Sequence, residues 1–423
     1  MKILMFIYHL AWTFVAIVFL PFIPFIRNQR LLERAFPIFP GRPARAGSIW
    51  IHALSVGEIL SAVPLVGAIK KRYPRKDIVF TVATTHGIEI AFNELEGEVS
   101  FFMTMPVDFW WSVKKMINYI NPSIFILVET DLWPGLITRL RGMGIPTILL
   151  NGRVSPRSYR SYKRFKRLIR FMFNSFEVCL MQSDLDRKRL LRLGLTQEKV
   201  KTAGNIKFDR EWVPLSEREY AHWLRVLNLG TEDKVWIAGS THQGEEDIVL
   251  DVFKKLLLFD PTLRLIIAPR DVTRAKDIFS LSMGKGFKTS LRTELGMNRE
   301  RYDVLILNTL GELDRIYGLG KISFVGGSLV PVGGHNLLEP ASFGQPVLFG
   351  PHTQNFVLMS QLLLEAGGGK RVKDGDDLFK AVKGLLSHLD ETKRMGTRAK
   401  EFVQMNRGAL RSVMEYVGRY IEN

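Results

Sequence analysis

Glu58 has the clearest chemical potential in this 423-residue chain: it is a carboxylate three positions after Ser55, where an apolar run over 48–54 gives way to a helical pattern. Two kinds of chemistry fit. Ser55-Val56-Gly57-Glu58 has the S-x-x-E spacing of a capping box, in which serine and glutamate satisfy free N–H groups at a helix start. The same carboxylate, at a strand end and close to His52, could instead take a proton from a substrate hydroxyl. It cannot fully do both, and the local sequence leaves both open. A second acidic pair, Glu129 and Asp131, follows the wholly apolar run 124–128. Acids directly after a buried strand are costly unless they cap a helix, bind a metal or meet a substrate. Thr130 or Asp131 suits capping ahead of Pro134 at a first helical turn, which leaves Glu129 as the acid in want of a role.

The second half of the chain carries groups suited to anions. The stretch 324–340, FVGGSLVPVGGHNLLEP, ends an apolar run in Gly326 and Gly327 and repeats the pair at Gly333 and Gly334. Glycines let backbone approach a ligand closely, and a helix starting near Asn336 would aim free N–H groups and its positive dipole end at a phosphate. Gly239-Ser240-Thr241-His242 is a glycine and hydroxyl turn ahead of a helical pattern. Pro269-Arg270 sets a guanidinium fork at another strand end, and Asn308-Thr309-Leu310-Gly311-Glu312 follows a fourth. There is no G-x-x-x-x-G-K phosphate loop and no Cys or His cluster with zinc spacing. Asp184-Leu185-Asp186 follows Ser183 at capping-box spacing, so nothing visible in the sequence requires a divalent metal.

Composition bounds the partners. A formal net charge of +17 attracts nucleic acid, anionic lipid or phosphorylated substrates. The single cysteine, Cys179, excludes an intrachain disulfide and reads as a buried small hydrophobe. Residues 3–26 are almost wholly apolar. The part before Pro21 would reach about 27 Å as a helix, near the roughly 30 Å bilayer core. Ala44-Arg45-Ala46 resembles a cleavage site, but Arg27, Arg30, Arg34, Arg42 and Arg45 separate the apolar run from the end of that region, the wrong arrangement for a signal peptide. Those arginines favour an uncleaved anchor with the rest of the chain on the cytoplasmic side. Residues 153–170 hold eight basic residues and no acid, interleaved with Tyr159, Tyr162 and Phe165. This is a solvated basic face or, beside an anchor, a surface for anionic lipid headgroups; an anchored chain makes nucleic acid a poor partner.

The elements that position these residues follow from periodicity. Apolar runs of strand length at 48–54, 78–83, 99–103, 124–128, 147–150 and 178–181 alternate with amphipathic helical patterns, for example 58–72 with Ile59, Leu60, Val63, Val66 and Ile69 on one face. A polar break at 209–228 centred on Pro214 follows, and the alternation restarts with runs at 235–238, 263–268, 304–307, 322–325 and 346–349. This predicts an α/β chain of two doubly wound Rossmann-like domains facing a cleft, with ligands outside the carboxyl ends of the strands. The domains expected are an anchor over 1–27, an N-terminal domain over 28–212 and a C-terminal domain over 213–423. The last helix belongs to that second domain or packs back on the first.

Taken in order, Ser55 to Glu58, Glu129 to Pro134, Asn151-Gly152-Arg153, Gly204 to Asp209, Gly239 to His242, Ala268-Pro269-Arg270, Gly333 to Pro340 and Gly350-Pro351-His352 resemble the bacterial 3-deoxy-D-manno-octulosonic acid (Kdo) transferases over essentially the whole chain. The resemblance implies a GT-B glycosyltransferase on the cytoplasmic side of the inner membrane. It would move Kdo from CMP-Kdo to an anionic lipid A precursor, lipid IVA, in lipopolysaccharide biosynthesis, with no cofactor or metal. It implies Glu58 as catalytic base and Glu129 and Lys207 as transition-state residues. CMP contacts would come from Ser240, Thr241, Pro269, Arg270, Leu310, Gly311, Glu312, Asn336, Leu337, Leu338 and Glu339. Leu310 stands where methionine is expected, a change that a backbone contact would survive. Arg153, Arg157, Arg160 and Lys163 are the basic residues placed to meet the lipid. The competing readings are a membrane GT-B transferase using a UDP-sugar, and a non-catalytic adaptor for anionic lipid; the latter leaves the strand-end motifs unexplained.

Overall fold

The computed structural model describes residues 2–19, 34, 39, 41–83, 85–210, 212–295 and 301–422. These fall into two compact units, Met1–Glu211 with Asn406–Asn423, and Trp212–Met405. In the first, strands β1 (Ser48–Ala53), β2 (Ile78–Val82), β3 (Phe101–Thr104), β4 (Pro122–Val128), β5 (Thr147–Gly152), β6 (Val178–Met181) and β7 (Val200–Thr202) form one sheet in the order β3-β2-β1-β4-β5-β6-β7. The second unit's strands β8 (Lys234–Thr241), β9 (Leu263–Pro269), β10 (Thr289–Leu291), β11 (Val304–Ile306), β12 (Ile322–Val325), β13 (Val347–Phe349) and β14 (Gly369–Arg371) run β10-β11-β9-β8-β12-β13-β14. Every pairing is parallel. The order reverses direction between β1 and β4 and between β8 and β12, the switch points at which such sheets open to ligands.

Central strands are buried on both faces, so β1, β2 and β5 are covered along their whole length and are mostly apolar, with Ser48, His52, Thr81, Thr147 and Asn151 as buried polar exceptions. Helix Val56–Arg72 lays Ile59, Ala62, Leu65, Val66 and Ile69 on one face of the first sheet. Helix Ala409–Ile421 adds Val413, Val417 and Ile421 to that same cluster. The strands absent from the sequence reading, β7, β10 and β14, have three residues each and lie at or near sheet edges. With little to bury, they lack the apolar run that reveals the others. The polar stretch around Pro214 is more ordered than a linker: Ser216 and Glu219 form a capping box on helix Glu217–Val226.

Helix Lys2–Phe19 opens the chain. Among the described residues, no helix is long and apolar enough to cross a membrane, and residues 20–27 of the expected anchor lie outside the described residues. The Tyr8 hydroxyl donates to Asp108 Oδ2 at 2.7 Å and Trp12 meets Phe109 edge to face, while Phe6, Ile7, Leu10, Phe14 and Ile17 are exposed.

Candidate active site

In the first unit, the expected catalytic residues converge at the carboxyl ends of β1 and β4. Ser55 caps helix Val56–Arg72, its Oγ accepting from Glu58 N–H at 3.4 Å. The Glu58 carboxylate does not close the capping box on the Ser55 backbone. Instead Oε2 accepts from Leu54 N–H at 2.6 Å and Oε1 from the Ser55 hydroxyl at 3.2 Å. Only 9% of Glu58 is exposed. Its pKa is raised from 4.5 to about 7, first by burial and then by Glu129, with Asp131 adding a smaller push against those two hydrogen bonds. Capping therefore falls to Ser55, and the carboxylate is oriented and made basic at neutral pH.

Glu129 sits just past β4 with φ 60, and Asn151 in the neighbouring β5 has φ 53. Left-handed backbone in residues other than glycine costs of order 1 to 3 kcal/mol each and concentrates at functional sites. Lys207, in the 3-10 turn Ile206–Asp209, reaches Glu129 Oε1 at 2.9 Å, and Asn205 Oδ1 holds that turn by accepting from Lys207 N–H. Asp131 takes the Trp133 indole N–H at 2.6 Å and lies 3.9 Å from His52 Nε2. His52 is fully buried with Nδ1 bound to Thr81 O, so it supports the strand end from beneath.

Neither Thr130 nor Asp131 caps helix Pro134–Gly142. Thr130 Oγ1 accepts from Arg153 N–H, and the cap comes from Asp108, whose buried carboxylate accepts from Gly135 and Leu136 N–H at 2.6 and 2.8 Å. Nothing local in the sequence marks Asp108, because its partners are 27 and 28 residues away. Its third contact, with Tyr8, ties the N-terminal helix to the element that follows the loop 129–133.

The basic stretch forms two helices, Pro156–Arg164 and Lys166–Phe173. Arg157, Arg160 and Lys163 are exposed, and Lys163 lies over the Tyr159 ring at 4.8 Å. Burial and then Asp131 raise the pKa of Tyr162, which places this helix beside the acidic loop.

In the second unit, Arg270 N–H donates to Thr241 O at 3.0 Å, joining the ends of β9 and β8. Ser240 has φ 54, and Thr241 is fully buried with no partner for Oγ1 among the described residues. Leu310 is exposed and Gly311 has φ 80, but the Glu312 carboxylate is held by the Arg292 guanidinium at 2.8 and 3.0 Å and by Thr309. Leu337 and Leu338 bury their side chains and leave only backbone for a ligand.

The glycine stretch differs from expectation. Its N–H groups are already filled: the fully buried Glu245 carboxylate accepts from Gly327, Ser328 and Leu329 at 2.6, 2.9 and 2.9 Å. The helix that follows is Leu338–Ser342, five residues long, and Asn336 Oδ1 accepts from its Leu338 N–H. An internal carboxylate thus occupies the predicted phosphate cradle. Glu245 opens helix Glu245–Phe259, where the dipole favours a negative charge.

Among the described residues, no three His, Cys, Asp or Glu side chains converge as a metal site would require. A surface cavity bounded by Ala68, Arg407, Arg411 and Met414 lies apart from these residues; Asp209 on its wall caps helix Ala409–Ile421 through Gly408 and Leu410 N–H.

Residues 29–210 match the family described as 3-Deoxy-D-manno-octulosonic-acid transferase (kdotransferase). A 3-deoxy-D-manno-octulosonic acid transferase of Haemophilus influenzae is 36% identical over 399 residues, covering 93% of this chain and 92% of that protein. One from Chlamydophila psittaci is 29% identical over 387 residues, covering 90% and 87%. Among solved structures, the UDP-GlcNAc 2-epimerase from Neisseria meningitidis bound to UDP-GlcNAc aligns with 88% of this chain and 100% of that one at 14% identity and TM-score 0.60, a likeness of fold alone.

Proposed function

The chain belongs to the 3-deoxy-D-manno-octulosonic-acid transferase family of glycosyltransferases, and on that premise we propose that it moves Kdo from CMP-Kdo to lipid IVA with Glu58 as general base. The lipid hydroxyl oxygen attacks the anomeric carbon of Kdo as the bond from that carbon to the CMP phosphate oxygen breaks, inverting the centre. The hydroxyl proton passes to Glu58 and the bonding pair leaves with CMP. CMP is a good enough leaving group that no separate acid is essential.

The observation that carries this reading is the state of Glu58: an almost buried carboxylate, oriented by Leu54 N–H and Ser55, with a pKa near 7. That value suits a base working at neutral pH. Lys207, paired with Glu129 at 2.9 Å, supplies positive charge for the transition state. On the GT-B pattern the first unit takes the lipid and the second takes CMP-Kdo through Ser240, Thr241, Pro269, Arg270, the backbone of Leu310 and Gly311, and Asn336 to Glu339. With its carboxylate engaged by Arg292, Glu312 would serve through its backbone.

We place the enzyme on the cytoplasmic side of the inner membrane, held by the exposed apolar face of helix Lys2–Phe19 and by the basic helix carrying Arg157, Arg160 and Lys163, with Arg153 beside it. Lipid A precursors carry phosphates, so cationic residues serve both the surface and the acceptor.

The test is to incubate the full-length enzyme with lipid IVA and CMP-Kdo and weigh the lipid. A gain of one or more Kdo residues that disappears in Glu58→Gln, with CMP-Kdo binding retained, is expected. Transfer from a UDP-sugar but not from CMP-Kdo would overturn the donor assignment, and near-normal turnover by the variant would overturn the base.

A further inference from the structure

At the switch point of the second sheet, the fold brings together two imidazoles from distant parts of the chain. His242 lies in the turn between β8 and helix Glu245–Phe259, and His335 lies in the glycine stretch after β12. Their Nε2 atoms are 2.7 Å apart, with ring centroids 5.0 Å apart and ring planes within 3° of parallel. Two ring nitrogens at that distance hold one proton between them, because two N–H groups or two bare lone pairs would repel. Among the described residues, the hydrogen bond that each ring makes is this one, through Nε2, which leaves both Nδ1 atoms for a ligand. In the neutral pair, one Nδ1 carries a hydrogen and the other a lone pair.

The pair is built rather than incidental. Glu245 accepts from His242 N–H at 3.0 Å as well as from Gly327, Ser328 and Leu329, so one carboxylate ties the two loops together. Gly327 O in turn accepts from Gly333 and Gly334 N–H at 3.0 and 2.7 Å, folding the stretch so that His335 comes back over Gly327. At Gly327, φ is +66 and a Cβ would lie 3.0 Å from His335 Cδ2 and 3.4 Å from His242 Cδ2, so glycine is needed for both conformation and room. The left-handed Ser240 sits two residues before His242, another cost that persists only where the surroundings enforce it.

The charge acting on the pair from Arg270 favours an anion. Ser240 and Thr241 precede one histidine and Asn336 follows the other. Arg270 is joined to Thr241 and adds positive charge felt at His335. Burial first, then His242 and Arg270, push the His335 pKa down to about 4, so without ligand this ring is neutral at pH 7.

We propose that His242 and His335 act as one unit that hydrogen-bonds an anionic oxygen of the nucleotide sugar, the phosphate of CMP, and offsets the charge it gains as its bond to the sugar breaks. This rests on the reading of CMP-Kdo as donor. The sugar carboxylate is the other source of an anionic oxygen, and the ligands below separate the two.

Full-length wild type, His242→Gln, His335→Gln and the double variant are titrated calorimetrically with CMP, cytidine and CMP-Kdo. Each single variant is expected to bind CMP roughly 10-fold to 100-fold more weakly, the span of a hydrogen bond to a charged group, with cytidine unchanged. The double variant should be little worse than the weaker single, as expected of groups acting together. A loss seen with CMP-Kdo but not CMP assigns the pair to the carboxylate and keeps it as the anion's partner. Variants that bind all three ligands as wild type does would overturn the proposal. Wild type that binds neither CMP nor CMP-Kdo would instead sink the donor reading on which it rests. If a variant fails to melt cooperatively, wild type alone decides: carbethoxylation of His242 and His335, mapped by mass spectrometry, should be slowed by CMP and not by cytidine. Equal rates with the two ligands refute the contact.

Discussion

Replacing Glu58 with glutamine should abolish transfer and, above neutral pH, make the protein more stable. In the fold the Glu58 pKa is about 7 against an ordinary 4.5. Below pH 4.5 the carboxyl is protonated whether the chain is folded or not, and it costs nothing. Between 4.5 and 7 the unfolded chain ionises while the fold keeps the proton, so stability falls as pH rises; above 7 the loss is complete. The difference corresponds to about 3 kcal/mol. Glutamine never ionises, and its amide can still accept from Leu54 N–H and donate to Ser55, so the variant escapes the loss. For a unit of this size that is roughly 6 to 12 °C in melting temperature. Thermal unfolding of wild type and Glu58→Gln at pH 8.5 and pH 4.5 reads it directly: the variant should melt higher at pH 8.5, and the two should converge at pH 4.5. A variant that melts no higher than wild type at pH 8.5 refutes the raised pKa, whatever its activity. In wild type the same value predicts that kcat/KM climbs through about pH 7 as Glu58 loses its proton.

Lys207→Met removes the cation 2.9 Å from Glu129, leaving an unbalanced negative charge that raises Glu58 further. The acid limb of the pH–rate profile should move to higher pH, and turnover at pH 7 should fall by about tenfold or more. Tyr8→Phe deletes the 2.7 Å bond to Asp108 and should cost about 1 to 2 kcal/mol, read in denaturant unfolding. Gly135→Ala should cost more, because its Cβ would lie 2.7 Å from Asp108 Oδ1, against the cap itself. Neutralising Arg157, Arg160 and Lys163 together, all exposed, should weaken sedimentation with anionic vesicles and flatten its salt dependence, by about 1 kcal/mol per charge at low salt; unchanged vesicle binding would remove this helix from the membrane surface.

Each of these effects depends on partners at different distances along the chain, and that separates what could be read early from what could not. The alternation of strands and helices was legible because burial on both faces of a parallel sheet forces long apolar runs, as in β1 and β4, and that signal is local. It fades in β7, β10 and β14, which have three residues each. Ser55 and Glu58 were legible as a pair, since a cap and a base share one spacing. The protonation of that carboxylate depends on Glu129, seventy-one positions on, whose charge reaches Glu58 only after β1 and β4 pair. The glycine stretch announced a backbone cradle for an anion, and the chemistry was right. Its occupant came from the tertiary structure, because Glu245 lies 82 residues before Gly327. The His242–His335 pair spans 93 residues, and neither histidine signals the other in sequence. Residue types and local periodicity therefore determined the sheets, the strand ends and the kinds of group found there. Which of those groups meet, and hence their protonation and partners, was decided only when the parallel sheets brought separate strand ends side by side, because Coulomb and hydrogen-bond energies act over a few ångströms of space.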